Sequence, residues 1–90
     1  MATATQNDFA VTRTWQDVAA TLTAIASVDA VIQNIGQNVI QVVHGGASAP
    51  AAGKSGLFLD YMDSVQGNAA NVWVRCVDNG TTSTVVAVAL

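Results

Sequence analysis

The side chains of this sequence that could carry out acid–base chemistry are few. His44 is the only histidine, and all six acidic residues are aspartates. A histidine can activate a serine or cysteine nucleophile when the fold brings the two together. No such residue stands at a recognisable motif distance from His44, which follows an apolar run and precedes Gly45 and Gly46. We expect His44 at a strand end or in an interface, and we expect no enzyme activity.

The sequence offers little for metal or disulfide chemistry. Cys76 is the only cysteine, so neither an internal disulfide nor a zinc cluster can form. Its neighbours in VWVRCVD predict a buried small hydrophobic side chain. Asp60 and Asp63 are three residues apart, which would place them on opposite faces of a strand. A calcium loop would need more acids at close spacing, so we predict no cofactor.

Residues 53–55, GKS, invite comparison with a phosphate-binding loop. That loop follows the pattern G-x-x-x-x-G-K-[ST], in which the residues between the glycines form a nest of N–H groups. Ser48 occupies the position of the first glycine, and the following GLFLDY does not resemble the start of a helix. We interpret residues 45–56 as a long loop of glycine and small residues.

Two tryptophans, Trp15 and Trp73, are the remaining candidates for ligand contact. Exposed tryptophans can stack on sugars, so a carbohydrate-binding platform stays open as an alternative. In a small β domain, tryptophans more often anchor a core or an interface, because each buries a large area. We favour the second interpretation.

The low charge content is the strongest signal in the composition. Only 10% of the 90 residues are charged while 51% are apolar, against roughly 25% charged residues in an average soluble domain. A chain this short forms one small domain with most residues near its surface. We infer that other subunits cover part of that surface, although Ala, Thr, Ser, Asn and Gln alone could also form an uncharged surface.

The same inventory argues against nucleic acid and membrane partners. Three basic residues and a net charge of −3 do not give the electrostatic footprint that phosphate backbones require. The apolar runs fall short of the roughly 20 residues of a membrane span. The opening MATATQNDFA lacks the features of a signal peptide. We expect the chain to stay, or to be assembled, where it is made.

Residues 31–46, VIQNIGQNVIQVVHGG, could form one helix or two strands. Their apolar residues fit the helical i, i+3, i+4, i+7 spacing. Gly36 and the many β-branched residues favour strands instead. We predict strands at about 31–35 and 39–44, joined by a turn at NIGQN.

The rest of the chain predicts further short strands. Residues 1–8 suit an extended arm before a domain at 9–90, and FAVTRTW alternates as a strand does. Val18, Leu22, Ile25 and Ala26 could share one side of a short helix, but the Thr and Ser content of 18–30 also suits strand and loop. GLFLDYM is predicted to be extended, and DSVQGNAA to be a connection.

The end of the chain predicts a β-hairpin. Asn79-Gly80 accepts positive φ at both residues, and with this turn Val74 would face Val85 and Trp73 would face Val86. One face of the hairpin would carry Val72, Val74, Cys76, Val85 and Ala87 into the core. About seven short strands of this kind indicate an all-β sandwich. We predict an interface made by Phe9, Trp15, Trp73, Arg75, Val86 and Val88.

Three segments together resemble small virion structural proteins of tailed bacteriophages. They are VTRTWQDVA at 11–19, IQNIGQNVIQVVHGGASAPAA at 32–52, and VWVR at 72–75 followed by a glycine turn and a Val/Thr-rich last strand. The resemblance rests on packing and turn residues and carries no catalytic or ligand position. It implies a β-sandwich or jelly-roll module that forms oligomers, often trimers.

The resemblance and the composition lead to one functional expectation. The chain is expected to be a capsid decoration or cement protein that contacts copies of itself and the major capsid protein or other virion proteins. Its location would be the virion, assembled in the host cytoplasm. The alternative is a tail fibre or collar module that binds a receptor or glycan.

Overall fold

The structure, a computed structural model, describes residues 7–50, 56–77 and 82–90. Within these ranges the chain is built of eight short strands and two short helical turns. Their bounds are β1 Asn7–Thr12, β2 Gln16–Asp17, α1 Val18–Thr21, a 3-10 turn Thr23–Ile25, β3 Ala30–Asn34, β4 Ile40–His44, β5 Leu57–Leu59, β6 Ser64–Gly67, β7 Val72–Cys76 and β8 Thr82–Ala89.

The strands form two four-stranded antiparallel sheets. Sheet 1 has the order β1-β8-β3-β6 and sheet 2 the order β2-β7-β4-β5. The first strand thus pairs with the last, the second with the seventh, the third with the sixth and the fourth with the fifth. Except for β4 and β5, which are neighbours in sheet 2, each strand is followed along the chain by a strand of the other sheet. This is the eight-stranded jelly roll, and the predicted all-β sandwich is confirmed.

The core lies between the sheets because alternate residues of each central strand are apolar. Val72, Val74 and Cys76 of β7 point inward and are at most 3% exposed, while their neighbours Trp73 and Arg75 are half-buried. β3 and β8 show the same alternation. The other buried apolar residues are Phe9, Val11, Val18, Ala19, Ile25, Ala30, Ile32, Ile40, Val42, Leu59, Val85 and Ala87.

The predictions for residues 9–44 are largely confirmed. Residues 31–46 form two strands, β3 and β4, with residues 35–39 between them, and FAVTRTW contributes to β1. Strand pairing already begins at Asn7, opposite Ala87, so the arm predicted for residues 1–8 shares its last two residues with β1. Residues 18–25 form α1 and the 3-10 turn. Val18 and Ile25 are buried there, and Leu22 and Ala26 pack on the core.

The hairpin predicted between residues 72–77 and 82–87 was wrong. β7 pairs with β2 and β4, whereas β8 pairs with β1 and β3 in the other sheet. Both strands do direct the predicted apolar face into the core, but from opposite sides of it. β7 and β8 each pair with a strand on both sides, and these pairings replace the predicted pairing of β7 with β8. The Asn79-Gly80 turn lies outside the described residues.

The connection predicted at DSVQGNAA was also wrong in part, because Ser64–Gly67 forms β6. β6 is an outer strand that pairs only with β3 among the described strands. Ser64 and Gln66 are exposed on it and Val65 alone packs against the core. An outer strand with one apolar residue lacks the alternation by which strands are predicted from sequence. The GKS segment and the first six residues lie outside the described ranges.

Candidate functional site

The most exposed apolar segment of the described chain is β5 with the turn that follows it. Leu57, Phe58, Tyr61 and Met62 are 52%, 58%, 56% and 51% exposed, and Leu59 alone points into the core. β5 is the outer strand of sheet 2, so no described strand of that sheet covers its far side. We call residues 57–62 the apolar edge. Exposed large apolar side chains gathered in one place mark interaction sites in soluble proteins.

The turn that ends the apolar edge has a defined shape. The Asp63 N–H donates to the Asp60 carbonyl at 3.0 Å, and the Asp60 N–H donates to the Asp63 carboxylate at 3.0 Å. The Met62 N–H donates to the Asn34 carbonyl at 2.7 Å, which ties the turn to β3. Asp60 and Asp63, which sequence spacing places on opposite strand faces, are therefore joined by the turn.

Met62 adopts a left-handed conformation, with φ at 68°. Left-handed geometry costs a residue with a side chain roughly 1–2 kcal/mol, and a glycine would avoid that cost. A methionine that is half exposed contributes little packing in return. Such strain tends to be kept where a side chain has a function. The geometry therefore supports a contact role for the apolar edge.

A second surface lies on the outer face of sheet 2. The Arg75 guanidinium stacks on the Trp15 ring, with its carbon 4.7 Å from the ring centroid. Its Nε–H donates to the Gln41 side chain at 3.1 Å. Trp73 lies two residues along the same strand and face, and its indole N–H donates to the Gly46 carbonyl at 2.8 Å. We call Trp15, Gln41, Trp73 and Arg75 the tryptophan–arginine face.

The two tryptophans are both half-buried and both lie on this face. The Trp15 indole nitrogen is buried without a hydrogen-bond partner among the described residues, an arrangement that costs stability. The stacked guanidinium is an attractive partner for the ring. Sequence reasoning named each tryptophan, but only the strand register shows that both share one face with Arg75.

The residues predicted as an interface do not form one surface. Phe9 points into the core and is 9% exposed. Trp15, Trp73 and Arg75 lie on the outer face of sheet 2, whereas Val86 and Val88 are half-buried on the outer face of sheet 1. Sequence reasoning missed the apolar edge, although the unusual run GLFLDYM, apolar at consecutive positions, was its signal.

His44 lies at the end of β4, as predicted. It is opposite the buried Val72, on the inner face of sheet 2, and its ring lies against Gly67 of β6 in the other sheet. A side chain at Gly67 would overlap the ring, so the contact requires glycine there. Partial burial lowers the pKa of His44 below its usual value of 6.5, because removal from water disfavours the charged imidazolium.

Stability should therefore fall as the pH falls through the histidine range. The His44 imidazole binds a proton more tightly in the unfolded chain than in the folded one. Its contribution to the free energy of unfolding is therefore complete above about pH 6.5. It decreases as the pH falls, until the pH is below the lower pKa of the folded state. Urea unfolding midpoints measured from pH 7.5 to 5.5 should decline for the natural chain. They should be nearly constant in His44→Gln, and an equal decline in both proteins would contradict the assignment.

Cys76 is 3% exposed, as the sequence predicts, and its thiol donates to the Val11 carbonyl at 3.4 Å. Burial raises the pKa of the thiol, and the nearby positive charge of Arg13 opposes that shift in part. A buried thiol with a raised pKa is a poor nucleophile. Cys76 is therefore a packing residue that ties β7 to β1.

The described residues contain no group of three or more His, Cys, Asp or Glu side chains that could hold a metal ion. None of the helices in the described ranges is long and apolar enough to cross a membrane. No protein-family model, curated protein or solved structure matches the chain.

Proposed function

We propose that this protein is a non-enzymatic virion structural protein of the capsid-decoration type, which associates with itself and binds an assembled protein shell. The observation that carries the proposal is the apolar edge, where four large apolar side chains are each more than half exposed. A small domain gains nothing from such exposure unless a partner covers it. The low charge content supports the same conclusion.

The outer face of sheet 1 offers a second contact area for the shell. Its central strands present Val31, Val86 and Val88, all half-buried, among Thr and Gln side chains. Asp8 is the charged residue that the register of β1 and β8 places on this face. Uncharged surfaces of this kind lose little hydration free energy when another protein covers them.

A protein that binds only the assembled shell stabilises it by mass action. The gain is RT ln(1 + [L]/Kd), about 2.7 kcal/mol per site when the free protein is at 100 times its Kd. No bond is made or broken, and no catalytic group is needed. The surfaces described above support this role, which depends on shape and apolar area.

Phe58→Asp should convert the assembled protein into monomers. Phe58 is the most exposed side chain of the apolar edge, and a buried unpaired carboxylate in an interface costs several kcal/mol. Sedimentation velocity over a concentration series measures the change. Leu90→Asp is the matched control, because Leu90 is 61% exposed outside that edge. A natural chain that is monomeric at all concentrations would overturn self-association.

Virion location is tested separately from self-association. Particles released by cells that carry the gene, purified on a density gradient, should contain the chain in amounts comparable with the shell protein when measured by mass spectrometry. If the chain self-associates in solution but is missing from the particles, the virion assignment is wrong and the assembly role remains.

A receptor- or glycan-binding module of a tail fibre or collar is the second candidate. The tryptophan–arginine face favours it, since Trp73 is partly exposed and held by its indole N–H, as a stacking platform requires. Arg75 uses its Nε–H on Gln41, and the terminal nitrogens of a guanidinium bind carboxylates well. The expected ligand is therefore an acidic glycan.

Trp73→Ala should abolish retention on immobilised acidic glycans. Stacking on an aromatic ring supplies much of the contact area for a sugar, so a loss of at least tenfold in affinity is expected, about 1.4 kcal/mol. Tyr61→Ala is the control, since it removes an exposed aromatic side chain from the turn after β5, outside the tryptophan–arginine face. Equal retention of both variants and the natural chain would rule out this face as the glycan site.

A further inference from the structure

We propose that copies of this chain associate head to tail, with the apolar edge of one copy docked on the opposite edge of the sandwich in the next, where Asp60 and Asp63 meet Arg13. The inference rests on the self-association in the proposed function and specifies its geometry. The partner that covers the apolar edge is thus a second copy of the same chain. That copy binds through its opposite edge and not through its own apolar edge.

The two edges are on opposite sides of the molecule. β5 and β6 are the last strands of their sheets on one side, and β1 and β2 are the last strands on the other. Among the described residues each of these four strands pairs with a single neighbour. Both edges therefore carry main-chain donors and acceptors that can pair with another chain.

Arg13 and Asp60 lie at the same end of the sandwich. Leu59, Ile40 and Cys76 form one row across sheet 2, since Ile40 is opposite both of the others. Asp60 follows Leu59 at one end of that row. At the other end Cys76 contacts Val11, and Arg13 is close enough for its charge to affect the thiol. A neighbouring copy at the same level would bring its Arg13 to Asp60.

The charges favour unlike edges over like edges. Pairing two apolar edges with each other would place four carboxylates in one interface, those of Asp60 and Asp63 from both copies. All are exposed and uncompensated by any described basic side chain of that edge. Like charges in an interface cost several kcal/mol. The opposite edge carries Asp8 and Asp17 further along β1 and β2, but its described charged residue at the level of Asp60 is Arg13, which is exposed. The head-to-tail arrangement therefore brings charges of opposite sign together at that level.

A head-to-tail contact closes into a ring when the rotation between copies divides a full turn. Three copies make the smallest such ring. In this arrangement each copy uses both of its edges, and the outer face of sheet 1 stays free for the shell. The apolar side chains Leu57, Phe58, Tyr61 and Met62 would be covered in every copy of the ring.

Cross-linking with introduced cysteines tests the arrangement. Thr14→Cys marks the edge with Arg13, and Ser64→Cys marks the edge next to Asp63; both positions are exposed. A short bismaleimide should link a mixture of the two variants into dimers and should link neither variant alone. The native Cys76 is 3% exposed and will not react. Leu90→Cys mixed with either variant is the control for random collision.

Three outcomes decide the proposal. Links only in the mixture support it, and the double variant should then give a ladder on a denaturing gel that ends at the ring size. Links in either variant alone show like-edge contacts and overturn it, while self-association survives. A lack of links in an assembled protein that sedimentation shows to be oligomeric also overturns it.

Charge reversal gives an independent readout. Arg13→Asp should raise the dissociation constant about tenfold, the effect of roughly 1.4 kcal/mol, and Asp60→Lys should act in the same direction. Combined in one chain, the two reversals should restore the natural dissociation constant. Circular dichroism checks that each variant is folded, since Asp60 also accepts from the Tyr61 N–H in its turn. Additive weakening in the combined variant would contradict the pairing.

Discussion

Replacing Asn34 with leucine should lower the free energy of unfolding by about 4 kcal/mol, enough to leave a marginally stable domain of this size largely unfolded. Asn34 is 0% exposed and is the last residue of β3. Its amide donates to the carbonyls of Asn38 at 2.8 Å and Leu59 at 2.9 Å. Its side-chain oxygen accepts from the Gly36 N–H and the Ser83 hydroxyl.

The size of this effect follows from what the leucine leaves behind. Four hydrogen bonds contribute about 1 kcal/mol each, and a buried group without its partner costs about 1–3 kcal/mol. The Leu59 carbonyl and Ser83 hydroxyl lie inside the sandwich and cannot regain water without opening it. Asn34 therefore ties the β3 end, the 34–38 turn, β5 and β8 together.

Urea unfolding followed by tryptophan fluorescence measures the loss. Asn38→Ala is the matched control, because it removes one exposed hydrogen bond to the Thr82 carbonyl and should cost about 1 kcal/mol. If Asn34→Leu costs no more than Asn38→Ala, the network does not stabilise the core as argued.

Asn34→Asp tests the effect of charge at this position, because aspartate has nearly the same shape as asparagine. The new oxygen would face the two carbonyls that now accept from the amide, so the ionised form is disfavoured and the pKa of the aspartate rises on folding. The stability of Asn34→Asp relative to the natural chain at the same pH should then be highest below the unfolded pKa of about 3.9 and should fall as the pH rises. An equal stability difference between the two proteins at pH 3.5 and pH 7 would contradict this.

Asn34 also shows which structural features could be predicted from the sequence and which could not. The turn at NIGQN was predicted correctly, because Gly36 and the flanking amides are local signals. The core role of Asn34 depends on Leu59 and Ser83, which are 25 and 49 residues away. The pattern of a short sequence segment does not show partners that are distant along the chain. An asparagine in an exposed turn and an asparagine buried in the core therefore cannot be distinguished from local sequence.

The same limit explains the error in strand pairing. Alternation assigned Val74 and Val85 to the core, and both are buried. A period of two identifies the face of a strand but does not identify its neighbour. The Asn79-Gly80 signal favoured a local hairpin, whereas two longer-range pairings for each strand gave the jelly roll. Tertiary context prevailed over the turn propensity.

The candidate surfaces were less predictable than the core. The low charge content predicts uncharged surfaces, but composition does not show where on the fold they lie. Phe9 and Phe58 are both phenylalanines in extended segments, yet one is in the core and the other is 58% exposed. The difference arises because Phe58 lies on the outer face of an outer strand. Position within a sheet is set by topology, which the sequence alone did not reveal.

Asp17→Ala should destabilise the domain by about 3 kcal/mol, the second-largest effect among single side chains outside the apolar core. One Asp17 oxygen accepts from the N–H groups of Ala19 and Val72, both at 3.0 Å. The other oxygen accepts from the Asn71 amide at 2.6 Å. The carboxylate caps α1 and at the same time fixes the start of β7.

The magnitude combines two known effects. Loss of a helix cap costs about 1 kcal/mol, and hydrogen bonds to a charged acceptor contribute about 1.5–3 kcal/mol. The half-buried position of Asp17 reduces the sum, because water can replace part of what is lost. Asp17→Asn keeps one acceptor oxygen and should lose about half as much.

Asp29→Ala provides the matched control for that measurement. Asp29 is also an aspartate, but it is exposed and, among the described residues, its side chain accepts one bond, from the Asn68 amide at 3.1 Å. Surface bonds of this kind contribute at most about 1 kcal/mol. The free energy of unfolding should therefore decrease in the order natural chain, Asp29→Ala, Asp17→Asn and Asp17→Ala. If the two alanine variants are equally stable, Asp17 does not join α1 to β7 energetically, and β2 must be held by Trp15 and Arg75 instead.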